Sequence, residues 1–152
     1  MTIPVTKANI ISETLGFIKT DFLTNITDPL SSRKSNSKFI LTSYPQRDVE
    51  YPIITLKCID LKAKRAGMQT TAQDITIKME IRIWARNEKE KDTLYNSILN
   101  ELANIQFTAS TGSVANNLHD LDILDSVEFD EEGEQGIKNR IIHVNYHFYN
   151  VI

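Results

Sequence analysis

Asp74 to Arg86 reads D-I-T-I-K-M-E-I-R-I-W-A-R. Ile75, Ile77, Met79, Ile81 and Ile83 alternate strictly with Thr76, Lys78, Glu80, Arg82 and Trp84. A period of two held this long describes a strand with one face in a core and one face in water. The run is about twice an ordinary strand in length, so it is expected to cross the middle of a sheet.

Upstream of it, Ile53 to Leu61 and Phe39-Ile40-Leu41 read as two further strands. Tyr44-Pro45 and Tyr51-Pro52 bracket a turn between them, because proline lacks a donor and holds the residue before it extended. Lys62-Ala63-Lys64-Arg65-Ala66-Gly67 is the most basic patch of the chain and reads as a connection, with Met68 to Gln73 as a flexible approach to the long strand. Its plain interpretation is a solvated hairpin tip; its functional one is a contact to an acidic partner or to nucleic acid.

Downstream, Asn87 and Glu90 stand in capping-box spacing, with Asn in the place usual for Ser or Thr. The helix they open carries Leu94, Tyr95, Ile98, Leu102 and Ile105 along one stripe. An earlier helix, opened by Pro4 or Thr6 and closed before Asp28-Pro29, carries Ile11, Leu15, Ile18 and Phe22, widened by Ile10, Phe17 and Ile26. Thr108 to Asn117 has no charge and few large side chains, and is expected to be mobile. Leu121, Ile123, Val127 and Phe129 mark a fourth strand, Asp130 to Gly136 an acidic turn, and Ile137 to Ile152 a last alternating strand. The expected fold is therefore α+β: a single, mostly antiparallel sheet with two amphipathic helices packed on one face, in one domain spanning 1–152.

Composition narrows the function classes. The 152 residues carry a net charge of −3, with 41% hydrophobic and 24% charged side chains, which is ordinary for a globular domain. There is no basic excess to hold nucleic acid or anionic lipid. Cys58 is the single cysteine, so no intramolecular disulfide forms, and in an apolar run it reads as a small buried hydrophobe. With no signal-like or bilayer-length apolar segment, the chain is expected in a reducing interior.

Searches for chemistry fail for physical reasons. His143 and His147 read H-x-x-x-H, but on a strand they stand about 13 Å apart at ~3.3 Å per residue, too far for one zinc at ~2.1 Å from each ring. His119 reads as isolated in a loop. The acidic run from Asp120 to Glu134 offers no frame with the ligand order of a calcium loop. No Gly-x-Ser-x-Gly or clustered-glycine phosphate loop is present. Tyr146 and Phe148 could stack bases, yet they share the face expected to be core. The expectation is no enzyme, no cofactor and no metal.

The order of elements nonetheless resembles a known family. An amphipathic helix precedes F-I-L-T-S-Y-P and Y-P-I-I-T-L-K, and a long strand runs through W-A-R-N-E-K-E-K-D-T-L into a helix. An aromatic alternating strand then closes the chain. This pattern, over nearly the whole chain, looks like the tail-terminator (tail-completion, or neck) proteins of tailed bacteriophages and related viruses. The resemblance implies a homo-hexameric ring in the virion neck, assembled in the host cytoplasm. Such a ring caps the tail tube protein, stops tube polymerisation and joins the head-closure protein. In contractile tails it also meets the sheath. DNA would pass through the lumen without specific binding, and no membrane is involved. Under this reading the assembly contacts are expected at Lys62, Lys64, Arg65 and Met68, and at Thr108, Ser110, Thr111, Ser113, Asn116 and Asn117. The alternatives are another virion connector or minor tail protein, of head-closure or tube-like type and built mainly on β-structure, or a small nucleic-acid-binding module.

Overall fold

The computed structural model describes residues 10–33, 38–43, 50–65, 73–105, 118–129 and 137–150; for 64–65, 73, 119–120, 125–129 and 149–150 it describes the backbone alone. Its elements are α1 (Ile10–Asn25), β1 (Ile40–Leu41), β2 (Ile53–Arg65), β3 (Gln73–Ala85), α2 (Glu88–Ile105), β4 (His119–Phe129) and β5 (Lys138–Asn150). They form an α+β fold around one mixed sheet of order β1-β2-β3-β5-β4. The long alternating run is its central strand.

Ile75, Ile77, Met79, Ile81 and Ile83 are all buried, as are Ile142, Val144, Tyr146 and Phe148 of β5 opposite them. Each such side chain contributes about 1.5–3 kcal/mol on leaving water, so this double row is the main source of stability. α1 lies against β1 and β2, α2 lies against β3 and β5, and the helices touch each other. Phe17, Ile18 and Phe22 of α1 and Leu94, Ile98, Leu102 and Ile105 of α2 join the same cluster as the strand residues. Arg140, in register with Ile83, ends its row with its guanidinium 4.5 Å from the Tyr95 ring of α2.

Several expectations need correction. α1 is rotated relative to the predicted stripe: Thr14 is buried, while Ile11 is exposed. β1 and β2 are neighbours but pair in parallel, through Ile40↔Ile54 and Leu41↔Thr55; Tyr51-Pro52 is cis, and the expected turn at 44–49 lies outside the described residues. β2 continues to Arg65, so Lys62, Lys64 and Arg65 are strand residues and not part of the connection. A bulge between Cys58 and Asp60 inserts Ile59 as an extra residue, and this restores the alternation that lets so basic a stretch stay paired with β3. His119 opens β4 and does not lie in a loop.

The α2 start is only half a capping box. Glu90 N–H donates to Asn87 Oδ1 at 2.9 Å. The Glu90 carboxylate reaches one residue further back than the motif requires, accepting from Arg86 N–H at 3.1 Å and from its guanidinium at 2.6 Å. Burial alone would raise the Glu90 carboxyl, but the Arg86 contacts and the Arg33 charge outweigh it and hold it below its usual value. The stripe of α2 begins with a residue the periodicity did not suggest: Lys91 is buried, with Nζ 2.5 Å from Glu88 Oε2.

A second knot ties the chain after α1 to the start of β2. The Arg33 side chain, 3% exposed, is bonded to Asp28 at 2.5 Å through Nε. It donates to the carbonyls of Glu50 at 2.6 Å and of Pro52, and lies 5.2 Å from the Phe39 ring. Buried carbonyls need such donors.

Candidate functional site

A sheet in this order has two ends. At one, β1 covers β2 only at Ile54 and Thr55, so from Leu56 to Arg65 the outer side of β2 meets no strand among the described residues. At the other, β4 has β5 on one side and no described strand on the other. Unpaired N–H and C=O groups along a strand are a template for another strand.

The side chains on these edges are unusual in two ways. Four of the five exposed large apolar residues described lie there: Ile59 (42%) and Leu61 (36%) on β2, Ile123 (41%) and Leu124 (41%) on β4. The charges also separate. From Leu56 to Arg65 β2 carries Lys57, Lys62, Lys64 and Arg65 against Asp60, whereas β4 carries Asp120, Asp122, Asp125 and Glu128 with no Lys or Arg. Lys62 is exposed and sits 3.7 Å from Asp60, a solvated pair worth little. By register, Lys57 and Lys62 (opposite Glu80 and Thr76) and Asp122 and Asp125 (opposite Asn145 and His143) fall on the same outer face of the sheet.

Between the edges, the outer face is polar and half-buried. Arg82 bonds Glu80 at 3.1 Å and lies 5.2 Å from the Trp84 ring, whose Nε1–H donates to Thr55 Oγ1 at 3.1 Å. His147 Nδ1 is 2.9 Å from Asp74 Oδ1. Cys58 is half-buried beside the bulge, with Sγ 3.6 Å from the Asp60 carbonyl and its thiol pushed up by burial. That is an inert thiol, not a nucleophile.

Of the residues expected at contacts, Lys62, Lys64 and Arg65 come together on one edge strand. Met68 lies outside the described residues, as do Thr108, Ser110, Thr111, Ser113, Asn116 and Asn117. The β4 edge was missed. Its signal was present in the sequence, since β4 has acids and no bases, but which strand stands at an edge is a property of the strand order. Among the described residues no helix is long and apolar enough to cross a membrane. No protein-family model matches the chain, and no curated protein matches it.

Proposed function

We propose that the chain is a structural protein of a viral neck. Copies join head to tail into a ring that caps a tail tube, stops its growth and connects it to the head-closure protein. The pattern resemblance supplies the role, and the pair of opposite sheet edges supports the assembly. A basic edge with two exposed aliphatic residues and an acidic edge with two more are complementary to each other, not to themselves. Contacts of that kind are heterologous, and they close into a ring when the rotation between copies allows it. Within one copy β2 and β4 run in opposite directions. Rotation about an axis near the strand direction preserves that relation, so β2 of one copy meets β4 of the next antiparallel, the more stable pairing. The two helices count against the connectors built mainly on β-structure.

Charge exchange tests the contact, and tail tubes test the role. Mass photometry and negative-stain microscopy of the protein alone and with tail tubes should show rings, or caps on tube ends. K57E/K62E and D122K/D125K should each weaken assembly at least tenfold, and the combined variant should restore it. Caps without restoration would keep the role and overturn the edge contact. Protein that ignores tubes at all concentrations would overturn the role. Deleting Thr108 to Asn117 is expected to spare folding and impair assembly.

A further inference from the structure

The ladder of the sheet decides which residues of the two open edges can bond a neighbour. The N–H and C=O of one strand residue point to the same side, and the side alternates from residue to residue along an antiparallel ladder. Ile54 N–H donates to the Phe39 carbonyl at 2.9 Å. The backbone groups of Ile54 therefore face β1, and those of its partner Ile83 face β5. Steps of two along β3, which pairs with β5 without a register shift, turn the groups of Ile77 toward β5 as well. Leu61 is the register partner of Ile77, so its own N–H and C=O point away from β3, out of the sheet edge.

The β4 edge has the same arrangement. Val144 of β5, opposite Met79, turns its backbone groups toward β3. Ile123 is the partner of Val144 on the other side, so its N–H and C=O also point out of the sheet. Leu61 and Ile123 both belong to the core face by register, yet they are 36% and 41% exposed. Their neighbours Lys62 and Asp122 are exposed on the outer face and carry opposite charges.

We propose that β2 of one copy and β4 of the next join in a single register, with Leu61 directly opposite Ile123 of the next copy and Lys62 opposite its Asp122. This rests on the ring reading above and adds its alignment. Leu61 and Ile123 form a hydrogen-bonded pair that exchanges two N–H···O bonds, and their side chains cover each other on the core face. Lys62 and Asp122 form the adjoining non-hydrogen-bonded pair, in which side chains stand closer. A shift by one residue sends every side chain to the wrong face. A shift by two in one direction sets Ile123 against Ala63 and separates it from Leu61. The same shift in the other direction sets Asp60 against Asp122, two like charges.

Cysteine trapping in the full chain tests the register. K62C/D122C, built on C58S, puts thiols at a pair whose Cα atoms stand about 4.5 Å apart, within the ~4.4–6.8 Å that a disulfide spans. Within one copy the two positions lie on strands separated by β3 and β5, about 14 Å apart, so the bond forms only between copies. In a glutathione redox buffer, with and without tail tubes, the expected result is a ladder of covalent oligomers on non-reducing gels. It should exceed the yield from K64C/D122C at least tenfold, and K62C mixed with D122C should stop at dimers. L61P removes an N–H that takes no part in the β2–β3 ladder, so it should melt with the parent chain and still weaken assembly at least tenfold; the cysteine pair decides if L61P does not fold. No ladder, or an equal one from K64C/D122C, would overturn the register. Caps on tube ends without a ladder would do so while keeping the neck role, whereas a ladder from protein that ignores tubes would keep the register and overturn the role.

Discussion

Ile81 and Ile142 face each other across the central strand pair, and both are fully buried. A charge placed here has no partner and no water, and burying an unpaired carboxylate costs more than a domain of this size has to spare. Ile81→Asp is therefore expected to abolish folding, whereas Ile81→Val should cost about 0.5–1.5 kcal/mol. A native circular dichroism spectrum with a cooperative melt for Ile81→Asp would show that the core face is misassigned.

Asn87 tests the start of α2. Asn87→Ala removes the acceptor of the Glu90 N–H bond and should cost about 1 kcal/mol, or about 2–4 °C in Tm for a chain of this length. Asn87→Asp keeps the acceptor and should leave Tm within 1–2 °C, roughly the scale of a surface change.

Arg33 carries more. Arg33→Lys keeps the charge but not the planar fork that reaches Asp28 and the Glu50 and Pro52 carbonyls together. It should cost about 2 kcal/mol and Arg33→Ala about 3–5 kcal/mol, the range for breaking a buried pair. Urea midpoints at constant slope measure both. A neutral Arg33→Lys would mean that a point charge suffices.

Asp21 makes stability fall as pH rises. Burial first, and then the neighbouring Glu101 carboxyl, push it from 3.8 to about 8, against the opposing hydrogen bond from Asn25. Between those values the folded chain holds a proton that the unfolded chain has released. The contribution is thus complete below about pH 4 and lost as pH climbs through about 8. Asp21→Asn should raise Tm at pH 8 by about 2–4 °C, allowing for solvent screening of a half-buried group, and should flatten the decline between pH 5 and 8. An unchanged slope would remove Asp21 as its source.

The sequence made the centre of the sheet legible because β3 and β5 are buried on one face and wet on the other, which is the condition for strict alternation. It made α2 legible for the same reason, through Leu94, Ile98 and Leu102. The basic run at Lys62 was misread because polar, charged residues look like a turn unless a partner strand is known; only the pairing with Thr76 and its neighbours shows that the ladder continues. His119 was misread likewise, since an isolated histidine gains meaning from the residue opposite it. Lys91 escaped because its burial depends on Glu88 reaching it at 2.5 Å, and no periodicity encodes an ion pair. Strand order, and with it the two edges, is set by packing between distant segments.

The register shifts described here fall on the outermost long strands: Cys58/Asp60 on β2, and His119/Asp122 and Ile123/Asp125 on β4. A bulge bends and over-twists the strand that carries it. A flat, straight strand from an unrelated chain cannot zip along such an edge, although the exposed Ile59 and Leu124 would otherwise invite it. The kinks are thus a guard against indiscriminate aggregation. Straightening one, for instance by deleting Leu124, would turn a selective surface into a sticky one.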